Sequence, residues 1–309
     1  MIRVLFSARH ALWPIWEPHL ARAFSEAGLE VDLARRHEAD MVDYILFAPN
    51  RDLTDFTPFK NCKAVLSLWA GVETIVGNPT LTQPLARMVD PGLREGMMEY
   101  VCGHVLRHHL GMDAHIRGLN GKWAATPPPL ARERRVGVLG LGELGAASAR
   151  ALAALGFDVA GWSRSEKSLA PIHTLSGAEG LREILSRSEI LVLLLPLTDE
   201  TRHILDAPRL GHLRQGSVVI NPGRGGLIDD AALLAAIETG QIDHATLDTF
   251  DQEPLPPDHP FWANPGITVT PHIASETRPS TASAAVAENI AAHEAGAPLR
   301  HLVDRDRGY

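Results

Sequence analysis

Residues 136–145 read VGVLGLGELG. A short apolar run passes directly into three glycines spaced G-x-G-x-x-G, and an alanine-rich stretch follows to Leu155. That order commits the segment to a strand, a tight turn and a helix, the setting in which this spacing marks a dinucleotide-binding loop. Gly140 permits the turn, Gly142 lets a pyrophosphate approach the main chain, and Gly145 lets helix and strand pack closely. The helix then presents unpaired N–H groups and its positive dipole end to the phosphates. Such a unit is stable only as part of a larger parallel sheet, so further strand–helix units must surround it.

The flanking sequence supplies them. After the strand at 136–139 and the helix at 143–155, a strand is expected at 159–162, a helix at 180–186 and a strand at 190–195. The last of these, ILVLLL, is apolar on both faces, as suits the centre of a parallel sheet. A helix near 208–213 and a strand at 217–221 follow. Asp229 is positioned to cap a helix that Gly240 closes, and strands at 245–247 and 267–270 complete the series. The first hundred residues repeat the theme more loosely, with strands at 3–6, 31–33, 44–47 and 64–68 and a helix near 19–27. The fold class is therefore α/β, with two Rossmann-like or flavodoxin-like domains, the larger a doubly wound parallel-sheet dinucleotide-binding domain. Residues 1–100 with 280–309 are assigned to the smaller, substrate-binding domain and 101–279 to the dinucleotide-binding domain. Between them Met98, Val101, Val105, Met112, Ile116 and Leu119 recur at helical spacing, a stretch that Gly111 can interrupt. TPPP at 126–129 is a stiff linker.

Composition narrows the class. With 45% hydrophobic and 21% charged residues the chain is globular. A net charge of −8 argues against a nucleic-acid or membrane-surface footprint, and no apolar run is long enough to span a bilayer. Cys62 and Cys102 form no disulfide framework, and the N-terminus lacks a signal-peptide pattern, so a reducing, cytoplasmic setting is expected.

NAD-binding loops place a carboxylate about 20 residues beyond the glycines, where it meets the adenosine ribose. Here Ser163 and Arg164 stand at that point. Ser163 leaves room for a 2′-phosphate, Arg164 can pair with it bidentately, and Lys167 can add a second charge. NADP is the preferred cofactor on this reading, with NAD possible. The competing reading makes Arg164 and Lys167 solvated loop charges.

Three further segments follow strand ends. INPGRGG carries Arg224, LDTFDQEPLPPDHPFW carries Glu253, and TPHIA carries His272. In a parallel sheet these loops share the edge that holds the dinucleotide loop. An arginine can hold a carboxylate and polarise a carbonyl. A histidine can give a proton near neutrality, and a glutamate can orient it and favour imidazolium. Together they suit reduction of a 2-oxo acid.

In this order and spacing the motifs resemble the D-isomer-specific 2-hydroxyacid dehydrogenase family, and the resemblance extends over essentially the whole chain, to the closing VDRDRGY. It implies catalytic roles for Arg224, Glu253 and His272. It implies substrate contacts from Trp69, Ala70, Gly71 and Val72 in LWAGVETI as well as from Arg224. It also implies cofactor contacts from Gly140, Gly142, Glu143, Leu144, Gly145, Ser163, Arg164, Lys167, Leu195, Pro196, Asn221, Pro222, Gly223, Asp248 and Ala274, with Asp248 near the nicotinamide carboxamide. Glyoxylate and hydroxypyruvate are the leading substrates, and a homodimer formed through a helical arm near 97–123 is the expected assembly. The alternative is a non-catalytic, nucleotide-sensing corepressor on the same fold. No metal is expected: His104 and His108 stand four apart but lack a third ligand, and are read as an interface or a solvated face. Trp13 and Trp16 are placed in a loop after the first strand, as possible pocket residues.

Overall fold

A computed structural model describes residues 1–123 and 125–308; Ala124 and Tyr309, the last residue of the closing motif, lie outside the described residues. The chain divides into two compact units, residues 1–93 with 277–309, and residues 94–276.

The first unit contains β1 (Ile2–Ser7), α1 (Trp13–Glu26), β2 (Val31–Ala34), β3 (Tyr44–Phe47), β4 (Ala64–Ser67) and β5 (Leu85–Ala86). The strands form a five-stranded parallel sheet in the order β2-β1-β3-β4-β5. Helix α1 begins earlier than expected and absorbs both tryptophans. Trp16 is buried and Trp13 packs edge-on to Phe6 at 5.4 Å, so neither sits in the loop proposed for them. Pro14 occupies the first turn, where a missing N–H costs nothing.

α2 (Pro91–His109) and α3 (Met112–Ile116) follow. Gly111, at φ +62°, separates them, as the sequence allows. The apolar stripe divides at the same point. Val101 and Val105 are fully buried, whereas Ile116 is 76% exposed.

The second unit continues with β6 (Arg135–Leu139), α4 (Glu143–Ala154), β7 (Asp158–Ser163), β8 (His173–Ser176), α5 (Gly177–Arg187), β9 (Ile190–Leu193), α6 (Ala207–Leu210), β10 (Ser217–Asn221), α7 (Asp230–Glu238), β11 (Ile242–Leu247) and β12 (Ile267–Val269); α8 (Pro279–Glu294) returns to the first unit and packs on α1. Its sheet has seven parallel strands in the order β12-β11-β10-β9-β6-β7-β8. Strand order reverses between β6 and β9, the switch point at which open sheets of this kind bind ligands. Side chains alternate between two cores, as the two-residue strand period requires. Leu139, Leu191, Leu193 and Val219 face α5, α6 and α7. Val138, Ile190, Val192, Val218 and Ile220 face α2 and α4. Helices thus cover both faces, and β9 is buried throughout. Asp229 caps α7, its carboxylate accepting the Ala232 N–H at 3.0 Å.

Candidate active site

Because every strand of the larger sheet is parallel, the segments after β6, β7, β9, β10, β11 and β12 emerge at one edge. Those segments carry the glycine loop, Ser163–Lys167, Leu195–Pro196, Asn221–Arg224, Asp248–Glu253 and Thr270–Ala274.

The glycine loop fits a dinucleotide. A Cβ on Gly145 would collide with the Gly140 carbonyl, so α4 starts directly against the turn. Around Gly142, the residue preceding α4, nothing stands within 4 Å of where a Cβ would be, which leaves the main chain open to a phosphate. The Lys167 ammonium donates to the Leu141 carbonyl at 2.7 Å and holds the segment after β7 against this loop. Ser163 is buried and its hydroxyl donates to the Ser165 carbonyl at 2.7 Å. Arg164 is exposed and pairs with Glu200 at 2.9 Å.

After β10, the Asn221 side chain braces the next three residues. Its carbonyl oxygen accepts the Gly223 N–H at 3.1 Å and its amide donates to the Arg224 carbonyl at 2.8 Å. Arg224 is half-buried, and one guanidinium nitrogen donates to the Gly223 carbonyl at 2.7 Å. Gly225 lies so close to the Phe250 main chain that a Cβ there would collide with it. The segment carrying Arg224 is therefore seated against the one leading to Glu253.

Glu253 uses both carboxylate oxygens. Oε1 accepts the Phe250 N–H at 3.0 Å, and Oε2 lies 2.7 Å from His272 Nδ1. An ionised carboxylate only accepts hydrogen bonds, so Nδ1 carries a proton in this pair and Nε2 is left as the nitrogen able to exchange one with a substrate. The two side chains are 50% and 36% exposed for His272 and Glu253, accessible to a ligand. His272 has φ +55°. A side-chain-bearing residue in this left-handed region costs about 1–3 kcal/mol and persists where its surroundings over-determine it.

Those surroundings are built on Asp248, which is fully buried. Its carboxylate accepts the Thr270 hydroxyl at 2.6 Å, the Ile273 N–H at 2.9 Å and the Ala274 N–H at 2.9 Å, while its main-chain carbonyl accepts the His272 N–H at 2.9 Å. Thr270 and its partner Tyr100, whose hydroxyl lies 2.7 Å away, are absent from the sequence-derived set. Nothing in the spacing links two residues 170 positions apart.

In the first unit, Trp69 is half-buried and its N–H donates to the Ser67 hydroxyl at 3.1 Å, while that hydroxyl lies 2.9 Å from the Trp69 carbonyl. The Val72 carbonyl accepts the Ile75 N–H at 3.0 Å and the Val76 N–H at 2.9 Å. The turn at 70–72 is thus held from both sides. His104 and His108, expected on a solvated face or an interface, are half-buried and turned onto the sheet rather than fully solvated. His108 Nε2 is 3.0 Å from the Thr246 hydroxyl and its ring lies 5.0 Å from that of His244; His104 packs on Tyr100 at 4.4 Å. Their helix covers the sheet, so a histidine on that face is drawn into the protein. Among the described residues no group of three metal-binding side chains is assembled.

Comparison with known proteins agrees with this architecture. Residues 102–274 match the family described as D-isomer specific 2-hydroxyacid dehydrogenase, NAD binding domain. A glyoxylate/hydroxypyruvate reductase A from Serratia proteamaculans is 39% identical over 255 residues, 80% of this chain and 82% of that protein. Among solved structures, a D-isomer specific 2-hydroxyacid dehydrogenase from Xanthobacter autotrophicus Py2 in complex with NADPH and MES is 42% identical, with a TM-score of 0.91 over 100% of this chain and 99% of that one. An NADPH-dependent glyoxylate/hydroxypyruvate reductase from Sinorhizobium meliloti, in complex with NADP and sulfate, is 34% identical, with a TM-score of 0.86 over the full length of both. The chain belongs to the D-isomer specific 2-hydroxyacid dehydrogenase family.

Proposed function

We propose that this chain reduces small 2-oxo acids with NADPH, converting glyoxylate to glycolate and hydroxypyruvate to D-glycerate. The observation that carries this reading is the 2.7 Å contact between Glu253 and His272, on the sheet edge that also bears the open glycine loop. The names of the Serratia and Sinorhizobium relatives support the substrate class, and the NADPH and NADP complexes of the two related structures support the cofactor.

The division of labour follows from the chemistry of each group. The pyrophosphate is held by the main chain of Gly140–Gly145 and the first turn of α4, with Glu143 and Leu144 opening that helix. Ser163 leaves space at the ribose, and Arg164 takes the 2′-phosphate in exchange for its contact with Glu200. Leu195, Pro196, Asn221, Pro222, Gly223 and Ala274 line the nicotinamide half. Asp248, which braces the segment 270–274, is the group proposed nearest the carboxamide. A reduced nicotinamide, when bound, supplies the hydride. Arg224 draws electron density from the 2-oxo group and fixes the adjacent carboxylate. The N–H groups of residues 70–72, beside Trp69, are the substrate contacts proposed for the first unit. Protonated His272 gives the Nε2 proton to the carbonyl oxygen as the new C–H bond forms, and Glu253, 2.7 Å from Nδ1, holds the ring in place for that transfer.

We also propose that two copies associate through the arm. Met112, Ile116, Leu119 and Trp123 are exposed, Trp123 by 97%, within one short stretch. Burial against a second copy removes that apolar surface from water.

The decisive experiment follows NADPH absorbance with glyoxylate, beside an Arg224→Ala control. Turnover that Arg224→Ala abolishes supports the reading. No turnover of either 2-oxo acid, or equal rates for both proteins, overturns it.

A further inference from the structure

We infer that Tyr100 and Thr270 are positioning residues for His272, acting through the buried carboxylate of Asp248. The inference rests on the reading above, in which His272 is the proton donor, and deepens it by naming what holds the donor in place.

The hydrogen bonds run in one direction. Thr270 has a single hydroxyl proton and gives it to Asp248 at 2.6 Å. What the Tyr100 hydroxyl meets 2.7 Å away is therefore a threonine lone pair, so the phenol is the donor. Burial raises the Tyr100 pKa well above its ordinary value, which keeps that proton in place across the working range of pH. The chain ends on a fully buried carboxylate, where each hydrogen bond is electrostatically stronger than at the surface. From Asp248 the constraint passes to the donor by three routes: the Ile273 and Ala274 N–H groups at 2.9 Å each, and the His272 N–H at 2.9 Å on the Asp248 carbonyl.

This set encloses the one residue of the segment in the left-handed region, His272 at φ +55°. In that conformation the ring meets Glu253 while its own N–H returns to Asp248. A loosened Thr270 hydroxyl gives residues 270–274 access to ordinary backbone conformations, which carry the imidazole away from Glu253. Neither Tyr100 nor Thr270 needs to touch substrate. The pyrophosphate loop at Gly140–Gly145 and the loop of Arg224 are separate from this segment, so the effect falls on the proton donor and on the nicotinamide half that Asp248 and Ala274 also line.

The test compares wild type with Tyr100→Phe, Thr270→Val and Thr270→Ser in glyoxylate reduction, together with hydrogen–deuterium exchange of the peptide covering 270–276. Tyr100→Phe and Thr270→Val are expected to lower kcat by about three- to tenfold. KM for glyoxylate stays within about twofold, because the loop that carries Arg224 is untouched. Exchange at 270–276 accelerates while peptides from β6 and β10 keep wild-type rates. Thr270→Ser, which keeps the hydroxyl, recovers most of the lost kcat. A Tyr100→Phe enzyme with wild-type kcat and wild-type exchange overturns the inference. So does a kcat loss accompanied by faster exchange throughout the unit, which reports general loosening. Failure of the functional reading has a separate signature: wild type without turnover, or turnover that survives His272→Ala. The exchange comparison still decides the anchoring in that event.

Discussion

Glu253 and Phe250 close a small ring of main chain: the carboxylate that faces His272 at 2.7 Å through one oxygen holds the Phe250 N–H at 3.0 Å through the other. The side chain is thereby aimed from behind, and its charge is delivered to the imidazole from a fixed direction.

Replacing Glu253 by Gln keeps an acceptor for Phe250 but sets an amide donor, in place of a carboxylate oxygen, against His272 Nδ1. Acid–base assistance of this kind contributes about 10²–10⁴-fold. Steady-state kinetics should therefore show kcat lower by roughly 10²-fold for Glu253→Gln, with KM for NADPH unchanged.

Arg224→Lys retains a positive charge but loses the planar fork proposed to reach carboxylate and carbonyl oxygens together. The expected loss in kcat/KM for glyoxylate is roughly 10²-fold. Full activity in this variant would mean that a point charge suffices.

Arg164 and Glu200 form an exposed pair; on the proposed reading a 2′-phosphate competes with that carboxylate for the guanidinium. Arg164→Ala should raise KM for NADPH by about tenfold and leave KM for NADH within twofold. Glu200→Gln should lower KM for NADPH. Equal effects on both cofactors would assign Arg164 a role away from the phosphate.

Burial above all, then the neighbouring charges of His244 and Arg107, hold His108 down to about 3, below its ordinary 6.5. Asp113 and His104 also face it, with weaker and opposing effects. As pH falls below 6.5 the unfolded chain takes up a proton that the folded state refuses until about 3, so this contribution to stability is complete above 6.5 and is lost across that window. His108→Gln removes the titration. Between pH 7 and pH 5 the wild-type Tm should therefore fall further than that of the variant, by roughly 3 °C or more.

What could be read from the sequence follows the strength of its physical signals. β9 was legible because a strand buried on both faces leaves an unbroken apolar run, and the glycine loop because close approach forbids any Cβ. β8 was not, since this edge strand is half-exposed and opens on His173. β5 has two residues and no pattern to detect. Trp13 and Trp16 lie in a helix rather than a loop, although Pro14 and Pro18 flank Trp16. Pro14 is in fact a helix-starting residue, and Pro18 is tolerated with Trp16 and Leu20 buried on either side of it. In the site, Arg224, Glu253 and His272 announce themselves by residue type at strand ends. Thr270 and Tyr100 do not, because their partnership exists only once α2 lies across the sheet.

The seam between Gly225 and Phe250 has an evolutionary consequence. Two loops that meet backbone to backbone cannot be remodelled one at a time: a longer or bulkier residue at the seam displaces Arg224 and Glu253 together. New substrate ranges on this scaffold should therefore arise by exchanging lining residues elsewhere, while these two turns are inherited as a single block.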